Sequence, residues 1–328
     1  MTFRAQALRY REPLYDWALL EGAMRRAALY VLGAGASRPQ IGGDFGARIR
    51  QRVWANGIYP AIATVRSPLA QRLLPRQLAF DLEAMRTGGI SQNEWDALIP
   101  NELVELLLAR ELTRPNAAPA RQYRFFDHCA PSVIFNYNND PLGDAIHRRH
   151  VHLRPHGMVN PHWVHAPVVD LAIRHLAIPQ DWIAALAYHR PLPEPTNMTL
   201  RPPYRLLQRY FEALEIVVII GYSFGAQPSG ALDDAESFEM LTDLLRWRPK
   251  PVLVIEPAPE LLAERLIATT RGGRVSMLRC KWNVLAEFVM TGQFRRACAR
   301  TWRGDRRSIT PLFWAFEEEL SEAGARSA

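Results

Sequence analysis

The run Ile216-Val217-Val218-Ile219-Ile220 constrains this chain more than any other feature. All five side chains are β-branched and none is polar, so neither face of the segment suits water. A strand of this kind lies inside a sheet that is covered on both sides. Related apolar runs occur at Leu29-Tyr30-Val31-Leu32, Ser132-Val133-Ile134-Phe135, His150-Val151-His152-Leu153 and Pro251-Val252-Leu253-Val254-Ile255, with Gly273 to Leu278 as a last, edge strand. Stretches rich in helix formers separate several of them, notably Phe238 to Trp247 and Pro259 to Ala268. Strands alternating with helices predict an α/β fold with a mostly parallel sheet and helices on both faces.

The remaining segments fit around that sheet. The first 28 residues read as helix leading into the first strand. Two longer stretches, at about 48–124 and 160–209, read as helical insertions broken at Pro, Gly and Asn. With no internal repeat, the 328 residues are expected to form a single domain.

Charge and cysteine content exclude several classes. The net charge is +7, but only two lysines are present, Lys250 and Lys281, and the arginines are dispersed along the chain. That pattern suits a solvated surface better than a nucleic-acid groove, which would need a recognisable module or interleaved aromatics. No stretch approaches the roughly 20 apolar residues that span a bilayer. The first twenty residues carry scattered charges and no apolar core of a secretory signal, so a cytoplasmic location is expected. Cys129, Cys280 and Cys298 are too scattered for a disulfide framework and read as small buried hydrophobes.

In open parallel sheets, ligands sit beyond the carboxyl ends of the strands, so the residues just past each strand matter most. The first strand runs into Gly33-Ala34-Gly35-Ala36-Ser37, small residues that let a backbone approach a diphosphate at a helix N-terminus. A merely tight strand-to-helix turn would use the same residues, and the six-position GxGxxG fingerprint of dehydrogenases is absent. The second strand is followed by Asn136-Tyr137-Asn138-Asn139-Asp140, whose amides can cap a loop or hold a water or ribose hydroxyl. Arg154-Pro155-His156-Gly157 follows the third, with a histidine suited either to a structural bond or to general-base work near neutral pH. Gly221-Tyr222-Ser223-Phe224-Gly225 follows the fourth, and Glu256-Pro257 the fifth. A carboxylate at the last position accepts bonds from a ribose diol and repels a 2′-phosphate, which suits NAD over NADP.

Singly these signals are weak; their order is not. The series GAGAS, FNYN, HG, GYSF and IEP resembles the sirtuin-like superfamily, in particular its bacterial branch of NAD-consuming, anti-phage defence proteins, across about Leu29 to Pro257. The resemblance implies a Rossmann-like fold. It also implies that Gly33, Ala34, Gly35 and Ser37 contact the pyrophosphate, with Asp44 and Phe45 in register as part of the same motif. Asn136 would sit at the nicotinamide ribose, and His156 would serve as the base. Gly221 and Ser223 would hold a ribose or phosphate, and Glu256 the adenine ribose.

The departures carry information too. Asn138 stands where the family has an acidic residue, Gly46 where it has arginine, and Met158 where serine is commoner. Deacylating sirtuins bind a structural zinc through two CxxC pairs after HG, whereas Met158 to Arg209 holds no cysteine, so no zinc is expected. Six histidines between His147 and His165 have spacings that allow a metal, but two fall on a strand and no partner cysteines accompany them.

The implied activity is cleavage of the nicotinamide–ribose bond of NAD by water, giving nicotinamide and ADP-ribose. The alternatives are an NAD-dependent deacylase or ADP-ribosyltransferase, and a sensor or scaffold that binds NAD or ADP-ribose without turnover. Members of that branch are restrained by assembly or by a regulator, so self-assembly or a partner protein is expected as well.

Overall fold

In the computed structural model the described residues are 15–41, 109–110, 113, 120–138, 140–159, 164–167, 187–188, 202–226, 234–270, 274–300 and 309–327. In chain order, helix α1 (Trp17–Arg25) leads into β1 (Ala28–Leu32), and α2 (Ala34–Ile41) follows. A 3-10 helix η1 (Arg121–His128) then precedes β2 (Val133–Asn136), and a second, η2 (Pro141–Ala145), precedes β3 (Val151–Leu153). The short strands β4 (Met158–Val159) and β5 (Ala187–Tyr188) are followed by α3 (Pro202–Phe211), β6 (Ile216–Ile220), α4 (Ala235–Trp247), β7 (Val252–Glu256), α5 (Glu260–Thr269) and β8 (Val275–Arg279). The chain closes with α6 (Trp282–Met290), α7 (Gln293–Arg300) and α8 (Ile309–Ser327).

Six strands form one sheet in the order β3-β2-β1-β6-β7-β8. Every pairing within it is parallel. This is the mostly parallel α/β sheet that strand–helix alternation predicts, in a Rossmann-like arrangement as the resemblance implies, with β8 at one edge as expected. β4 and β5 form a separate antiparallel pair.

All five residues of β6 are buried, and so are all five of β1. Alternation divides them between two cores. Tyr30, Leu32, Ile134, Val218, Ile220, Leu253 and Ile255 face one core, closed by α1, η1 and the C-terminal helices through Trp17, Phe125, Phe126, Trp282, Phe288 and Phe313. Leu29, Val31, Phe135, Val217, Ile219 and Val254 face the other, closed by α3, α4 and α5 through Tyr204, Phe211, Leu241, Leu245 and Leu266. Burying each large aliphatic or aromatic side chain contributes about 1.5–3 kcal/mol, so the two-sided sheet is the main source of stability.

The expected insertion at 48–124 lies almost wholly outside the described residues. Of 160–209, the described part includes most of α3. No described helix is long and apolar enough to cross a membrane. All three cysteines are buried and in no disulfide, and burial pushes the Cys129 thiol up to about 12, in keeping with their reading as small core residues.

Candidate functional site

The strand register aligns the residues that matter. Leu32 pairs with Asn136 and with Ile220, and Ile220 pairs with Ile255. One step further along each strand therefore brings Gly33, Tyr137, Gly221 and Glu256 into a row at the carboxyl edge of the sheet. Phe135 pairs with Leu153, which sets Arg154 level with Asn136 and places His156 just beyond the row. Strand order reverses between β1 and β6, and such a switch point is where ligands of open α/β sheets bind.

At the switch point the glycines meet one another. A Cβ on Gly33 would stand 2.4 Å from the Tyr222 Cβ, and one on Gly35 would stand 2.7 Å from the Gly221 Cα. Gly221 has φ +58°, a left-handed conformation, and its N–H bonds to Ile255 while its carbonyl accepts from the Gly35 N–H. Close backbone approach between the two turns thus demands glycine before any ligand is considered. Ala34 is exposed at the tip of the first turn, Gly35 half-buried, and Gly33 buried.

Ser37 is fully buried in a polar network. Its Oγ donates to Asp140 Oδ2 at 2.8 Å and lies 2.7 Å from the Tyr123 hydroxyl. Asn138 is also buried, and its amide donates to the Gly33 carbonyl at 2.8 Å and to Ser37 Oγ at 3.3 Å. An ionised aspartate at position 138 could not make the first of these bonds, which gives asparagine at this position a physical reason. Arg154 closes the network: Nη1 donates to the Asp140 carbonyl at 2.9 Å, and Nη2 to Asp144 Oδ1 at 2.9 Å. Burial raises the Asp140 pKa, and the bonds from Ser37 and the Leu142 N–H oppose the rise.

Asn136 and His156 flank the end of β2 from its two sides. Asn136 is 0% exposed; its Oδ1 accepts from the Asn138 N–H at 3.0 Å, and its Nδ2 lies 3.3 Å from His152 Nε2. Gly143 of η2 covers it so closely that an added Cβ would stand 2.7 Å from Nδ2. The neighbouring Tyr137 faces the other side, where its ring packs against His156 at 5.2 Å, Tyr222 at 4.4 Å and Phe224 at 6.3 Å between centroids. His156 is half-buried, and Gly157 behind it has φ +74°. The Tyr222 hydroxyl donates to Asp234, which also caps α4.

Glu256 stands at the carboxyl end of β7, largely buried, and desolvation alone pushes its carboxyl up to about 7. Ser223 is half-buried in the turn after β6. Asp44 and Phe45 lie outside the described residues. Among the described residues no group of three or more His, Cys, Asp or Glu could hold a metal ion. Sequence reasoning missed His152, Tyr123, Asp140 and Arg154 as parts of the site. For His152 the signal was present, since strand periodicity sets it beside Ile134; for Tyr123, carried on η1, no local pattern pointed inward.

The fold and this edge define a Rossmann-like α/β protein whose candidate site groups gather around the β1–β6 switch point. The chain matches no family model and no curated protein. Among solved structures it is similar to a mutant Sir2 homologue in complex with ADP-ribose, at 15% identity and a TM-score of 0.43 over 87% of this chain and 98% of that one. It is also similar to a triple-mutant Sir2 homologue in complex with 2′-O-acetyl ADP-ribose, at 16% identity and a TM-score of 0.43 over 86% and 98%.

Proposed function

We propose that this chain binds NAD across the β1–β6 switch point and hydrolyses its nicotinamide–ribose bond. The observation that carries the reading is the row at the sheet edge: the small-residue turn at 33–35, the turn at 221–223, the Glu256 carboxylate, and Asn136 and His156 on either side of the end of β2. Ala34 and Gly35 offer a surface without side-chain bulk to a diphosphate, while Gly33, buried against Tyr222, and Ser37 hold that turn from beneath. Gly221 and Ser223 take the adjoining ribose or phosphate, and Asp44 and Phe45 complete the motif. Glu256 accepts from the adenine-ribose diol.

Nicotinamide leaves as a neutral base from a cationic ring, so the leaving group needs little proton transfer. The protein's task is to hold the ribose and place the nucleophile. Asn136 uses one donor and one acceptor within the protein; on this reading the remaining one of each, which lie beneath η2, go to a ribose hydroxyl or a water. His156 acts as the base. With no cysteine between 158 and 209 for a sirtuin-type zinc module, water is the acceptor that needs the fewest additional parts. The cellular role we propose, by the motif resemblance, is NAD depletion in bacterial defence, released by self-assembly or by a regulatory partner.

Incubation with NAD should release nicotinamide and ADP-ribose in equal amounts. Asn136→Ala and His156→Ala should each lower the rate by about a hundredfold or more. Undiminished turnover by both variants would remove the assignment. A rate that depends on added acyl-peptide or acceptor protein would indicate deacylation or ADP-ribosyl transfer instead. A second reading, a sensor that binds without turnover, is favoured by the complete burial of Asn136 beneath η2. Tight ADP-ribose binding with no product would support it.

A further inference from the structure

The orientation of the Asn136 amide is set by its surroundings. One end of the amide faces the Asn138 backbone N–H at 3.0 Å, and a backbone N–H can only donate. That end is therefore the oxygen, and the other end is the NH2 group. The NH2 group can only donate in turn, and its neighbour is His152 Nε2 at 3.3 Å. His152 must accordingly present an unprotonated Nε2 and carry its proton on Nδ1.

Three further features hold the imidazole in that neutral state and in place. Burial holds its pKa down at about 3, with the Arg154 guanidinium and then His150 acting in the same direction. The Asp144 carboxylate is engaged by Arg154 at 2.9 Å, and no carboxylate acts on His152 to favour its protonation. Gly143 lies over the pair, where a Cβ would stand 3.1 Å from His152 Cε1, so η2 packs closely against one side of the ring.

We propose that His152 is a positioning residue: by accepting from Asn136 Nδ2 it fixes the face of the amide that remains for ligand. It need not touch substrate itself. With the acceptor removed, only the Asn138 N–H still holds the amide, its NH2 end loses its fixed partner, and its donor and acceptor no longer meet the ribose in one arrangement. The inference rests on the proposed ligand site at Asn136, but the hydrogen bond itself can be observed without turnover.

The test compares His152→Leu with His152→Gln, whose side-chain oxygen restores an acceptor. In protein labelled with 15N at asparagine, the Asn136 side-chain NH2 signal, identified by its loss in Asn136→Asp, should shift in H152L and exchange faster with water. It should return towards the wild-type position in H152Q. Nicotinamide release by H152L should fall about tenfold to a hundredfold in kcat with KM within about twofold, and H152Q should regain most of it. If H152L does not fold, His152→Met replaces it, since a thioether is only a weak acceptor. An Asn136 signal unmoved in H152L, or moved with no change in kcat, overturns the proposal. Wild-type protein that binds ADP-ribose yet releases no nicotinamide defeats the proposed reaction instead. Affinity for ADP-ribose then becomes the readout: weakening in H152L with recovery in H152Q keeps the positioning role, and equal affinities end it.

Discussion

Gly35 and Gly221 lie backbone against backbone, with the Gly35 N–H bonded to the Gly221 carbonyl at 2.9 Å. A Cβ on Gly221 would stand 2.6 Å from the Ala36 nitrogen and 2.6 Å from the Gly35 carbonyl carbon. Both obstacles are main chain and cannot rotate away, and φ at Gly221 is +58°. Gly221→Ala should therefore cost at least about 2 kcal/mol, combining left-handed strain with the clash. Gly292 makes an internal control. It too has positive φ, +75°, but an added Cβ would meet nothing within 4 Å, so Gly292→Ala should cost only about 1 kcal/mol. Urea denaturation of the two variants checks the difference.

Asn138 and Asp140 divide the polar work of the loop after β2. Asn138 donates to the Gly33 carbonyl, while Asp140 accepts from Ser37 and from the Leu142 N–H at 2.9 Å. Asn138→Asp sets a carboxylate against a carbonyl, near a second buried acid. It should destabilise the protein by about 2–3 kcal/mol near neutral pH. Protonation would return one donor, so the deficit should shrink as pH falls towards 4. A deficit independent of pH would mean that the loop rearranges instead.

The sheet is legible in the sequence because buried parallel strands announce themselves: β6 has no polar residue and β7 only its terminal Glu256, and each is bounded by a glycine or proline. The GAGAS turn is legible in place but not in full purpose. Its glycines read as room for a diphosphate, and the structure adds a need that sequence spacing cannot express, the packing of Gly33 and Gly35 on Gly221 and Tyr222 from a distant stretch of chain. Ser37 shows the same limit. Its partners Tyr123 and Asp140 are distant in sequence, so a hydroxyl in a phosphate-like turn reads as ligand-facing although it points into the fold. Asn136 and His156 are identifiable as groups at the end of one strand and just past the next, although the structure includes Asn136 as the last residue of β2. That they flank β2 from opposite sides depends on alternation at the strand end and on how the Arg154-Pro155 turn directs the histidine.

Arg154 and Asp144 form an asymmetric pair, with side-chain exposures of 7% and 59%. An ion pair open to solvent on one partner contributes at most about 1 kcal/mol, so Asp144→Asn should be nearly silent. Arg154→Met removes much more, because the guanidinium also satisfies the Asp140 carbonyl and reaches the Asn138 carbonyl at 3.4 Å. The expected loss is about 3 kcal/mol, with faster amide exchange at Leu142 and Ile146 on η2. Equal effects of the two substitutions would show that the exposed ion pair, and not the buried carbonyls, holds the loop.

Glu256 provides a pH handle on both stability and the proposed ligand. Its folded pKa, raised to about 7 from 4.5, is set by desolvation alone. Between those values the folded state binds more protons than the unfolded state, so this group's contribution to stability falls as pH rises from 4.5 and is fully unfavourable above 7. A tenfold change in proton affinity is worth about 1.4 kcal/mol, so the whole effect is on the order of 3 kcal/mol. Glu256→Gln, which stays neutral, should match wild type near pH 4 and exceed its stability at pH 8. Binding should run the other way. The ionised carboxylate accepts two bonds from a ribose diol, so wild-type affinity for ADP-ribose should strengthen as pH rises through 7, whereas E256Q should bind weakly at every pH. Titration calorimetry at pH 6 and pH 8 decides it: equal wild-type affinities at the two values would separate Glu256 from the ribose.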